Sequence, residues 1–61
     1  MKAYDELKAL VNSLEEDVIK FDEGGNAAAG TRVRVALQKV KKDAQALRTT
    51  IQNIKEDRIN A

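Results

Sequence analysis

The sequence predicts an all-α fold, an antiparallel two-helix coiled-coil hairpin, and three observations support this prediction. Apolar residues recur at alternating spacings of three and four in two segments, the pattern of helices that pack side by side. A short stretch of Gly and Asn separates the two segments. Proline is absent, and the chain is rich in Ala, Leu, Lys, Arg and Glu, which favour helix. We therefore expect residues 1–61 to form a single helical-hairpin domain.

The first segment predicts a helix over about residues 3–23. Its apolar residues follow the coiled-coil spacing without interruption and define the predicted seam of this helix: Tyr4, Leu7, Val11, Leu14, Val18 and Phe21. Leu10 and Ile19 lie outside this seam and widen its apolar face. The acidic residues fall on the other faces, where we expect them to be solvated.

A turn is predicted at residues 24–26. A Gly directly after a helix commonly adopts the left-handed conformation that ends it, and Gly24 and Gly25 stand at this place. Asn26 is a favourable N-cap for a helix that begins with three alanines. We expect the second helix over about residues 27–58. The alternative is a longer loop over residues 24–30, with the second helix beginning at Thr31.

The second helix carries its own unbroken heptad seam: Val33, Leu37, Val40, Ala44, Leu47, Ile51 and Ile54. A short turn makes the helices antiparallel. With the bend near residue 25, the numbers of two residues that face each other across the hairpin add up to about 51. This register places Phe21 against Gly30 and Val18 against Val33. In this register the second helix extends beyond the first by about 15 Å.

A chain of 61 residues without Cys or His lacks disulfides and the usual zinc ligands as sources of stability. A partner subunit can supply the missing burial. We therefore expect a homodimer, a four-helix assembly that covers the overhang and the wider apolar face. The residues predicted at this dimer interface are Leu10, Ile19, Leu47, Ile51, Ile54 and Ile59.

Charge is divided unequally along the chain. Residues 1–24 hold three Lys and seven acids, net −4, whereas residues 25–61 hold eight basic residues and three acids, net +5. Basic residues of the second helix could pair with Glu15, Asp17 and Asp22, as at ordinary coiled-coil flanks. They could instead bind the phosphates of a nucleic acid. The predicted DNA-binding residues are Arg32, Arg34, Lys39, Lys41, Lys42, Arg48 and Lys55.

Catalysis has little support in this sequence. Neither His nor Cys is present, and Ser13, the sole serine, has no base near it in a predicted helix. We expect no catalytic residues, no cofactor and no metal site. No apolar run reaches the length of a membrane span, and the N-terminus does not resemble a secretory signal. We therefore expect no membrane partner and a cytoplasmic location.

The residues around the turn resemble a known family. The run of residues 25–34, Gly-Asn-Ala-Ala-Ala-Gly-Thr-Arg-Val-Arg, with Ala36-Leu37 and Lys41-Lys42 after it, resembles bacterial linker-histone-like nucleoid proteins, first known from chlamydiae. Leu14-Glu15 through Lys20-Phe21 and the Ala46-Leu47-Arg48 region fit the same pattern. The resemblance implies DNA as ligand, a nucleoid-associated location, and contacts from Arg32, Arg34, Lys41 and Lys42. Chlamydial members also carry a Lys- and Ala-rich tail, a stretch that these residues do not contain.

Two functions follow as hypotheses. The first is a dimeric histone-like protein that binds the backbone of double-stranded DNA, without sequence preference, through the basic face of its second helix. The second is a coiled-coil protein–protein assembly module with no nucleic-acid ligand, supported by the two unbroken heptads. Salt distinguishes them, because phosphate binding weakens steeply with ionic strength while apolar association persists.

Overall fold

The computed structural model describes residues 1–60 and contains three helices: α1 over Lys2–Asn12, α2 over Glu15–Asp22 and α3 over Ala27–Asn60. Helices α1 and α2 together form one arm, and α3 forms the other arm of an antiparallel hairpin. No strand occurs within residues 1–60, so the prediction of an all-α fold is confirmed. The molecule measures 53 × 16 × 12 Å, and its length matches the ~51 Å expected for the 34 residues of α3.

The first arm is not the continuous helix that the sequence predicted over residues 3–23. It is interrupted at Ser13 and Leu14, where the Ser13 hydroxyl donates a hydrogen bond of 2.6 Å to the Leu10 carbonyl. The Leu14 amide bonds to Val11, three residues back, at 3.1 Å, which tightens the backbone locally. A serine side chain competes in this way for carbonyls that the helix would otherwise use.

The turn is short, and α3 begins at Ala27 rather than at Thr31. Gly25 has φ 63°, the left-handed conformation that Gly adopts without steric penalty. The Asn26 amide returns to the Lys20 carbonyl at 3.1 Å. The Asn26 side-chain oxygen accepts a hydrogen bond of 3.1 Å from the Ala29 amide, so this residue caps α3 as its position predicted.

The contact between the arms uses only one of the two rows of the predicted seam on each helix, together with a neighbouring row that lies outside the seam. Tyr4, Val11, Val18, Leu37 and Ile51, all assigned to the seam from their spacing, are between 44% and 53% exposed. The buried or half-buried residues that form the contact are Ala3, Leu7, Leu10, Leu14 and Asp17 on the first arm, and Ala29, Val33, Ala36, Val40, Asp43 and Leu47 on α3.

Side-chain size explains why the contact shifts toward this neighbouring row. The distance between packed helices depends on the side chains at the contact. Ala3, Ala29 and Ala36 let the backbones approach along the neighbouring row, and Ala29 is the only fully buried residue among residues 1–59. Each helix therefore turns one of its two apolar rows toward its neighbour and leaves the other open.

The register near the turn is confirmed. A Cβ added to Gly30 would lie 2.7 Å from Cδ2 of Phe21, so the ring rests directly against the glycine. At the opposite end, Met1 shares a surface groove with Ile51 and Ile54. Helix α3 continues from there to Asn60, beyond the end of the first arm.

Candidate nucleic-acid interface

Four of the predicted DNA-binding residues form one stripe along α3. Arg34, Lys41, Arg48 and Lys55 are separated by seven residues, or about two helical turns, so their side chains leave α3 in nearly the same direction. All four are exposed. We call this row the cation stripe, and it spans about 32 Å along the helix. Arg48 and Lys55 also line one shallow groove with Ile51 and Ile59.

The other three predicted cations lie on different faces of α3. Lys39 precedes Lys41 by two residues, which places the two side chains about 160° apart around the helix. Arg32 precedes Lys39 by seven residues and shares its direction. Lys42 lies between these directions, beside Lys41 and Gln38 in a second shallow groove. The seven residues therefore surround much of the helix, and only the cation stripe is a single surface.

Arg32 is paired within the chain. Its Nε donates a hydrogen bond of 3.1 Å to Oδ2 of Asp17, and a terminal nitrogen donates one of 2.9 Å to Oδ1. This two-point geometry is the strongest that an Arg and a carboxylate form. The hydrogen bonds from Arg32 lower the pKa of Asp17, partial desolvation opposes them, and the charges of Arg32 and Lys20 add to the lowering. The same pair raises the pKa of Arg32.

The remaining predicted cations have no such partner. Within residues 1–60, no carboxylate lies within 4.0 Å of the charged nitrogens of Arg34, Lys39, Lys41, Lys42, Arg48 or Lys55. The other ion pairs of this part of the chain lie inside the first arm, such as Lys20 with Glu16 at 3.1 Å. Of the three acids considered as partners from the sequence, only Asp17 is used. Six of the seven predicted cations thus form no ion pair within residues 1–60.

The residues predicted at a dimer interface do not form one surface. Leu10 and Leu47 are half-buried between the two arms of the same chain. Ile51 and Ile59 are 49% and 73% exposed on the overhanging part of α3, and Ile54 is half-buried beside Met1. Ile19 is 47% exposed on α2. Their role in dimerisation stays a prediction.

A different apolar surface was missed in the sequence analysis. Tyr4, Val11 and Val18 on the first arm, with Leu37, Ala44 and Ile51 on α3, are exposed. We call these six residues the open stripe. Each set of three repeats every seven residues, and this separate periodicity within the predicted seam is the signal that could have revealed it.

An apolar groove marks the end of the open stripe near the turn. It has a volume of about 540 Å³ and is bounded by residues of both arms: Val18, Phe21, Asp22, Ala27, Gly30, Thr31, Val33 and Arg34. Val18 and Arg34 line the same groove, and Leu37, Ala44 and Ile51 each follow a member of the cation stripe by three residues, a spacing that places them beside it on the helix. The two halves of the open stripe and the cation stripe therefore belong to one side of the hairpin.

Sites of other kinds were sought in the described part of the chain. Among residues 1–60, no three acidic residues converge as a metal site would require. None of the helices in that range combines the length and the apolar character needed to cross a membrane.

Comparison with known proteins identifies the family. Neither curated proteins nor solved structures gave a match. The sequence model of the family described as Histone H1-like protein Hc1 matches residues 1–57. This match covers nearly the whole chain and agrees with the resemblance carried by the turn and the Arg and Lys residues after it. Histone H1-like proteins of this kind are DNA-binding, nucleoid-associated proteins and are not known as enzymes. The chain belongs to the histone H1-like Hc1 family.

Proposed function

We propose that this protein binds the backbone of double-stranded DNA as a homodimer, without sequence preference, within the bacterial nucleoid. The observation that carries the proposal is the set of six predicted cations on α3 that are exposed and form no ion pair within residues 1–60. Lys and Arg that neutralise phosphates provide most of the affinity of non-specific DNA binding. Family membership supplies the choice of DNA among polyanions.

We expect the proposed contact residues to contribute unequally to the affinity for DNA. Lys41, Lys42, Arg48 and Lys55 are exposed and free of intramolecular partners among residues 1–60, and they lie on two adjacent faces. Arg34, the first member of the cation stripe, and Lys39, on another face of α3, also form no ion pair within these residues. Arg32 would have to leave Asp17 to reach a phosphate, so we expect it to contribute least.

The absence of a base-reading device supports non-specific binding. The only aromatic residues are Tyr4 and Phe21, and both belong to the apolar side of the hairpin. Long, flexible Lys side chains make up much of the exposed charge, and they meet phosphates as point charges rather than read base edges. We expect random-sequence and defined duplexes of equal length to bind equally.

The test compares two triple variants that remove equal charge. Lys42→Gln/Arg48→Gln/Lys55→Gln removes three cations from α3, whereas Lys2→Gln/Lys8→Gln/Lys20→Gln removes every Lys of the first arm. Gln has a helix propensity close to that of Lys and Arg, so both variants should retain their helices. Binding of a fluorescent duplex is followed by anisotropy at about 50 and 200 mM salt.

We expect the α3 variant to lose most of its affinity and the first-arm variant to bind like the wild type. The slope of log affinity against log salt should fall by about 2–3 in the α3 variant, because each phosphate contact contributes about 0.9. Equal weakening in both variants would show that overall charge, and not the face of α3, governs binding. No binding by the wild type at low salt would exclude DNA as the ligand.

A second function is favoured by the open stripe. Five of its six members are large apolar side chains at least 44% exposed, and such surfaces mark protein–protein contacts. If the wild type dimerises without binding DNA, the protein acts as an assembly module, and the cations of α3 specify its partner.

A further inference from the structure

The open stripe lies between two rows of opposite charge. On α3 it is bordered by the cation stripe, whose members precede Leu37, Ala44 and Ile51 by three residues. On the first arm, the residues four places after Tyr4, Val11 and Val18 are Lys8, Glu15 and Asp22. The side of the hairpin that carries the apolar residues therefore has a mainly acidic edge near the turn and a strongly basic edge opposite.

The exposed area is larger than a chain of this mass should leave. A compact monomer of 6.8 kDa exposes about 4,000 Å², whereas this chain exposes 5166 Å². The excess, about 1,200 Å², exceeds the ~800 Å² that each partner buries in a standard interface. The chain as a whole thus exposes enough surface for a second copy to cover.

We propose that a second copy of this chain covers the open stripe, with the α1–α2 arm of each copy lying antiparallel on α3 of the other. The proposal specifies the geometry of the dimer assumed in the proposed function, and it does not depend on DNA binding. Both turns then lie at the same end of the assembly. Arg34 of the second copy is then level with position 17 of the first, between Glu15 and Asp22, and Lys41 lies about one and a half turns from Glu15.

The charges disfavour the other symmetric arrangement, in which each arm lies on its own counterpart. That arrangement would bring the four residues of one cation stripe against the four of the other, and like charges held side by side repel. It would also place the acidic edges together. Pairing unlike arms replaces both repulsions with attraction on the two sides of the interface.

Side-chain sizes fit the same arrangement. With the turns at one end, position i of the first arm is level with position 51 − i of α3 in the second copy. Val11 then lies between Leu37 and Ala44, and Tyr4 lies about one turn from Ala44. The largest residue of the open stripe on the first arm is thus level with the neighbourhood of the smallest on α3.

Engineered disulfides test the proposal directly, because the chain contains no Cys. Val11→Cys and Ala44→Cys are prepared as separate single variants, mixed, refolded together and oxidised. We expect the mixed disulfide Val11→Cys with Ala44→Cys to dominate, identified by mass. Ala44→Cys alone should remain mostly uncrosslinked, since the two α3 helices lie diagonally in the proposed bundle.

Two outcomes would overturn the proposal. Efficient self-crosslinking of Ala44→Cys would show that α3 lies on α3. A monomeric wild type in light scattering at 100 μM, a concentration on the order of those at which weak dimers form, would show that no second copy covers the stripe. Neither outcome depends on the anisotropy measurement, so failure of this geometry and failure of DNA binding are distinguishable.

A charge-reversal series provides an independent measurement if a cysteine variant misfolds. Glu15→Lys/Asp22→Lys and Arg34→Glu/Lys41→Glu should each weaken the dimer at least tenfold. Combining the four substitutions in one chain should restore the affinity of the dimer. The first arm of one copy is then basic where α3 of the other copy is acidic, so the two arms attract each other again. If the combined variant dimerises as weakly as either parent variant, the proposed arrangement is contradicted. Restored affinity requires that the first arm of one copy contacts α3 of the other.

Discussion

The Phe21–Gly30 contact shows how one missing side chain fixes the hairpin. A glycine within a helix costs about 1 kcal/mol relative to Ala, and here it makes room for the ring that closes the turn end of the molecule. The ring is 54% exposed, so its position depends on this contact rather than on enclosure by a core. The pairing was predictable from the sequence because a short turn fixes the nearest register.

We predict that Gly30→Ala destabilises the protein by about 1 kcal/mol despite its gain in helix propensity, because the added Cβ displaces the ring. In a Phe21→Ala background the same substitution should stabilise by about 1 kcal/mol, since only the propensity gain remains. Urea unfolding of the four proteins at one concentration measures both effects. A stabilising effect in both backgrounds would contradict the contact.

The Asp17–Arg32 pair links stability to pH. Because the pKa of Asp17 is lowered in the folded protein, its contribution is complete above the unfolded value of about 3.9 and is lost as the pH falls through the folded value. We predict that Asp17→Asn lowers stability at pH 7 and that its difference from the wild type shrinks toward pH 3.

Thermal unfolding between pH 7 and pH 3 checks this prediction. Glu23→Gln, which removes an acid that forms no ion pair within residues 1–60, serves as the control. A difference between Asp17→Asn and wild type that is constant over this range would show that the ion pair has no share in the pH dependence.

At the scale of the helices, the sequence identified the pattern but not the side that each helix turns to its neighbour. Heptad spacing, the glycines and Asn26 sufficed to predict two arms, the turn and the start of α3. The heptad spacing alone does not distinguish the two apolar rows of a helix, so both were assigned to one seam. Which row is used depends on side-chain volume in three dimensions, here on Ala3, Ala29 and Ala36.

The interruption of the first arm illustrates a second limit. Ser13 is compatible with a helix interior or with a local hydrogen bond to a nearby carbonyl, and the free-energy difference between these two states is small. The ion pair of Arg32 illustrates the same limit, because charge alone allows Arg32 to pair with any of several acidic residues. Asp17 was one of three acidic partners considered from the sequence. Only the folded geometry shows that Asp17 is the acid that lies within hydrogen-bond distance of Arg32.

For the whole molecule, the shape explains why association should govern stability. The radius of gyration is 15.6 Å, whereas a compact domain of 61 residues has about 10.5 Å. Such a rod buries little of itself, and Ala29 is its only fully buried residue among those described. Folding and dimerisation should therefore occur as one transition.

We predict that the thermal midpoint rises by about 6 °C for each tenfold increase in protein concentration, given ~0.7 kcal/mol of unfolding enthalpy per residue in a dimer. Val11→Gln/Leu37→Gln, which makes the open stripe polar, should abolish this dependence and lower the midpoint. Circular dichroism over two decades of concentration measures it. A midpoint independent of concentration in the wild type would mean that the hairpin is stable as a monomer.

The rod shape also sets the size of the site that each chain can occupy on DNA. Its 53 Å length equals about 16 base pairs of duplex, and its 16 Å width equals about 5 base pairs. Its 12 Å thickness is close to the width of the major groove. The number of base pairs covered per chain at saturation would therefore show whether the hairpin lies along the duplex or crosses it, and crossing would leave its ends free to reach a neighbouring duplex.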